Sequence, residues 1–105
     1  MRLVDLNPAF VAHGGNGVTD LDDEPIPFRP GVGLMFDCPC GNPDCPSIYV
    51  DFQNPIDGGP PAARGVPTWQ RKGETFETLT LKPSIRKLSH CRWHGWVTDG
   101  EVTGD

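Results

Sequence analysis

The chain has 105 residues, enough for one domain and no second core. Its net charge of −5 argues against a duplex nucleic-acid binder, which would carry a basic footprint. The 13 Gly and 12 Pro interrupt regular elements while 3 Trp and 5 Phe argue against disorder, so the composition describes a loop-rich domain whose thin core would benefit from a staple.

In chain order, RLVDL (2–6) alternates and reads as a short first strand. The N-terminal sequence is broken by Asp5, Asn7 and Pro8, unlike a secretory leader. Nowhere does an apolar run approach the ~20 residues of a membrane helix. A cytoplasmic (host-cell) or virion location is expected, where reduced thiols favour metal ligation over disulfides. From Asn7 to Gly33 the chain is dominated by Pro, Gly, Asn and Asp, with Phe10, Ile26 and Phe28 as anchors. Residues 1–33 are therefore expected as an extended Gly/Pro-rich arm ordered by a protein partner, and residues 34–105 as the folded domain.

GLMFD (33–37) and SIYVDFQ (47–53) read as a strand and a returning strand around the turn CPCGNPDC. After a Gly/Pro loop, TWQ begins a strand that resumes at TFETLTL, and Pro83 is expected to end that pairing. A short helix around residues 84–90 is the only helical expectation. Asp99-Gly100 in WVTDGEV suits a two-residue type I′ hairpin. The expected fold is mostly β: a small loop-rich antiparallel domain stapled by one zinc ion.

The candidate metal ligands are Cys38, Cys40, Cys45, Cys91 and His94. A structural zinc site takes four soft or borderline ligands, commonly as two pairs from separate segments. Pro39, Gly41 and Pro43 supply turn chemistry for the first group, and Gly95 would let backbone approach the ion behind the second. The preferred set is Cys38, Cys40, Cys91 and His94, with Cys45 as the substitute that would leave His94 free.

CRWHGW (91–96) also resembles the second ligand box of Rieske iron–sulfur proteins. That family needs two cysteines and two histidines, whereas the upstream group here is Cys-x-Cys. An electron carrier is thereby disfavoured. A zinc deaminase would need His-x-Glu ahead of its cysteines, which is missing before Cys38. Within LKPSI, Leu81 and Ile85 are expected in the core and Ser84 is given no catalytic role, so the chain reads as a non-enzyme.

Read whole, CPCG (38–41), Trp69 with Gly73, TLKPSI (80–85), Cys91 with His94 and GEV (100–102) resemble a family of small zinc-binding proteins from tailed phages and bacteria. The resemblance spans about residues 34–103 and implies a zinc-binding β domain. Bacterial members are similar to neighbours of ubiquitin-like conjugation systems. Two functions follow as expectations: a phage-encoded structural module in a virion or its assembly, or an adaptor in ubiquitin-like conjugation or phage–host interference.

Overall fold

A computed structural model describes residues 1–15, 17–63 and 65–104. Among them are seven strands in two antiparallel sheets and a single 3-10 helix. The first sheet runs β1 (Ala9–His13), β2 (Arg29–Phe36), β3 (Ile48–Asp51); the second runs β4 (Gln70–Lys72), β5 (Thr80–Arg86), β6 (His94–Thr98), β7 (Glu101–Gly104). A parallel bridge between Phe52 and Trp69 joins them.

Alternation in the strands explains the packing. Leu34, Phe36, Ile48 and Val50 face inward from the first sheet, and Leu81, Ile85, Val97 and Val102 from the second, into one buried cluster. Burying each such side chain stabilises the fold by about 1.5–3 kcal/mol. Phe10 stacks on Phe76 with ring centroids 4.5 Å apart, and Trp93 meets Phe36 edge-on at 6.5 Å.

Residues 1–33 contribute to this cluster. Leu3–Leu6, expected as a strand, is the 3-10 helix, and its Leu3 and Leu6 are buried. Asn7, in the left-handed conformation, ends it and turns the chain into β1, which pairs with β2 through Val11↔Gly33.

The second half of the chain departs from expectation at β5. Residues 75–78 form a turn, and the strand starts at Thr80 and runs through Pro83 to Arg86 where a short helix was expected. Proline lacks the N–H a ladder needs, so it is tolerated only where pairing is interrupted. The register supplies that interruption: Leu81 pairs with Val97 and Ile85 with Gly95, so four steps on β5 oppose two on β6. The β6–β7 hairpin closes as expected through Asp99 (φ 47°) and Gly100 (φ 76°), with Thr98 opposite Glu101.

Candidate active site and metal centre

The four cysteines converge. Their Sγ atoms all lie within 4.8 Å of one another, with Cys38 and Cys45 at 3.4 and 3.5 Å from Cys91. Four thiolates at the ~2.3 Å zinc–sulfur distance of a tetrahedral site stand about 3.8 Å apart, so the group can hold one metal ion such as zinc. Cys38 is delivered by the end of β2, and Gly41 donates its N–H to the Cys38 carbonyl at 3.2 Å. Asn42 then folds the chain back, its Oδ1 accepting the Asp44 N–H and its carbonyl accepting the Cys45 N–H. Cys91 comes from the loop between β5 and β6, which the Lys87 N–H closes onto the Trp93 carbonyl at 2.8 Å.

Electrostatics differ across the group. Burial, first of all, pushes the Cys38 thiol up to about 12. The Lys87 ammonium, donating to Cys45 Sγ at 2.8 Å and to the Pro46 carbonyl at 2.9 Å, draws Cys45 down to about 6. A cation at this position offsets part of the negative charge that four thiolates carry around a divalent ion.

His94 is held elsewhere. It opens β6, and its Nε2 lies 2.9 Å from Ser84 Oγ. Ser84 sits in the irregular stretch of β5 beside Pro83; such stretches re-aim side chains that a regular ladder would fix. Both residues are half-buried. Trp69 donates its indole N–H to the Ser84 carbonyl, and the Trp96 ring lies 5.1 Å from the imidazole at a tilt of 50°. Ser84 and Trp96 line an open groove of about 790 Å³ on the outer face of the second sheet, together with Gln53, Gln70 and Lys82.

A serine hydroxyl within hydrogen-bond reach of an imidazole, at the edge of a groove, is the geometry of an activated nucleophile. Gly95 also has a different role from the one expected. A Cβ there would run into the Thr103 carbonyl oxygen and the Trp93 ring, so its absence lets β7 and Trp93 close over the backbone behind His94.

A family model described as the bacterial ubiquitination-like system serine protease, BubE, matches residues 23–104. The chain belongs to the BubE family. No curated protein and no solved structure matches it. The family's description names a hydrolytic enzyme, in contrast to the non-enzymatic reading of the sequence, and it links the chain to a ubiquitination-like system. No helix among the described residues is long and apolar enough to cross a membrane.

The sequence reading gave Ser84 no catalytic role, and the structure sets its hydroxyl beside His94. TLKPSI contains Ser84, but no Gly-x-Ser-x-Gly signature flags it as a nucleophile. Only the pairing of β5 with β6 brings its hydroxyl to His94.

Proposed function

We propose that the chain is a serine hydrolase of a bacterial ubiquitination-like system, with Ser84 as nucleophile and His94 as general base, cleaving an acyl bond of a protein substrate. The 2.9 Å contact between His94 Nε2 and Ser84 Oγ carries this reading. With the imidazole neutral and protonated at Nδ1, Nε2 accepts the hydroxyl proton as Oγ attacks the substrate carbonyl. The imidazolium then protonates the leaving group as the tetrahedral adduct collapses to an acyl-Ser84 ester. Water, deprotonated by His94, attacks that ester and restores the hydroxyl.

The metal belongs to the scaffold in this reading. Cys38, Cys40, Cys45 and Cys91 would hold one zinc ion; four protein thiolates leave no open position for substrate. That set is the alternative with Cys45 in place of His94, and it is supported by the four-thiol grouping and by the engagement of His94 with Ser84. The family match favours the conjugation-system reading over a virion component. The protein-contact element expected in residues 1–33 narrows to the connection between β1 and β2, where Leu21 and Phe28 are exposed.

Treatment of the full chain with a fluorophosphonate probe tests the proposal. Labelling is expected on Ser84, absent in Ser84→Ala, and slowed at least about a hundredfold in His94→Gln. Labelling on another serine, or unaffected by His94→Gln, would refute it.

A further inference from the structure

Six of the chain's cations, Arg71, Lys72, Lys82, Arg86, Lys87 and Arg92, line the grooves and hollow on either side of Ser84 and His94. Lys82 lines the groove that holds Ser84. It also lines an adjoining one of about 400 Å³ that adds Lys72 and shares Gln70, Thr80 and Thr98 with the first. On the other side of the pair, a hollow of about 290 Å³ is lined by His94 with Arg86, Lys87 and Arg92. Among the described residues, one carboxylate, Asp99, lines any of the three.

Two of the six are engaged. Arg71 donates to the carbonyls of Asn54, Pro55 and Gly73, and Lys87 to Cys45 Sγ and the Pro46 carbonyl. The side chains of Lys72, Lys82, Arg86 and Arg92 are exposed and have no hydrogen-bond or ion-pair partner among the described residues. A chain with 14 acidic residues against 9 basic thus leaves four unpaired cations around its serine–histidine pair. Proteins place one sign of charge along a cleft when the ligand carries the other.

From this we infer that the site takes an extended acidic polypeptide segment, with carboxylate side chains on both sides of the bond presented to Ser84. The inference rests on the Ser84 reading for where that bond lies. Lys72 and Lys82 meet the carboxylates on one side and Arg86 and Arg92 those on the other; Trp96 forms an apolar wall beside the reacting carbonyl. A nucleic acid fits less well. It needs charge neutralised over a long track, and a molecule of net charge −5 opposes that at long range, whereas a short acidic segment needs only the local cations.

Fluorescence anisotropy on the full-length Ser84→Ala chain separates the possibilities, because binding is read without turnover. The probes are a fluorescein-labelled twelve-residue Glu/Gly peptide, its Gln/Gly counterpart and a single-stranded oligonucleotide of equal length. The Glu peptide is expected to bind at least about tenfold more tightly than the Gln peptide at low salt, as a few exposed ion pairs would give, with the difference shrinking in 0.5 M salt. Lys82→Glu and Arg92→Glu, made singly at exposed positions, should each reduce that difference severalfold. Equal binding of the two peptides overturns the inference, as does a preference untouched by either variant. Tighter binding of the oligonucleotide through the same residues overturns it too. Fluorophosphonate labelling of the wild-type chain reports separately on Ser84: labelling without acidic preference refutes the substrate inference alone, and acidic preference without labelling refutes the hydrolase alone.

Discussion

Trp69 donates its indole N–H to the Ser84 carbonyl oxygen at 3.2 Å, tying the Ser84 backbone to the seam between the two sheets. Trp69 is itself fixed there: its N–H donates to the Asp51 carbonyl at 2.9 Å and its carbonyl accepts the Gln53 N–H at 2.8 Å. The stretch of β5 around Ser84 has lost its regular ladder to β6, so this indole takes over part of the job of holding it.

Trp69→Phe keeps the ring and removes the donor. The loss of one such hydrogen bond, about 0.5–1.5 kcal/mol, should lower kcat roughly three- to tenfold on an ester substrate. KM should stay near its wild-type value. A change in KM alone would show that Trp69 serves binding rather than the placement of Ser84.

Gly95→Ala tests the close approach behind His94. The added methyl would collide with the Thr103 carbonyl and the Trp93 ring, forcing β7 away from β6. Overpacking of this kind costs about 1–3 kcal/mol and should lower Tm by about 5–15 °C. Phosphonate labelling should slow as well, because His94 is the adjoining residue. Unchanged melting would mean that the two strands separate freely.

Metal removal should act on both sites through the loop that joins them. Cys91 lies three residues before His94, and Lys87, which contacts Cys45, directly follows β5. Elemental analysis should find one zinc and no iron per chain. Chelation, or Cys91→Ser, should lower Tm by more than about 10 °C and slow labelling of Ser84. A metal-free preparation that melts and reacts like the untreated protein would leave the cysteines without a structural ion.

Acid stability has a local contributor in the first half of the chain. Arg29 Nε donates to Asp57 Oδ2 at 2.7 Å, and with the Gly59 N–H it holds the Asp57 carboxyl down at about 2. A carboxyl depressed on folding stabilises the folded state above its unfolded value of about 4, and loses that contribution as pH falls from about 4 to about 2. Denaturant titrations at pH 6 and pH 3 should therefore show a smaller loss of stability for Asp57→Asn than for the wild type. Equal losses would remove the pair from the acid response.

Local chemistry was legible in the sequence wherever neighbours along the chain decide it. Asp99-Gly100 meets the positive φ angles of its hairpin by residue type alone, and alternation placed Ile48, Val50, Leu81 and Ile85 in the core. The cysteines grouped among Pro and Gly mark a candidate ligand cluster by residue type and turn chemistry alone, and the fold brings the four thiols together. RLVDL misled because a five-residue apolar alternation also suits a single 3-10 turn that buries Leu3 and Leu6. Pro83 misled because proline ends a regular ladder, and here the ladder is irregular.

What the sequence by itself determined was a small β-rich chain with a cysteine cluster and a tight final hairpin, since these follow from alternation, turn propensity and ligand type. What only the tertiary structure decided was which side chains meet. Ser84 and His94 meet because four steps along β5 oppose two along β6, which turns a hydroxyl toward an imidazole ten positions away. Cys91 joins cysteines about fifty residues upstream by the same kind of long-range closure, and cations scattered from Arg71 to Arg92 gather around one site. Register and sheet packing set these distances, and neither is a property of any short stretch of chain.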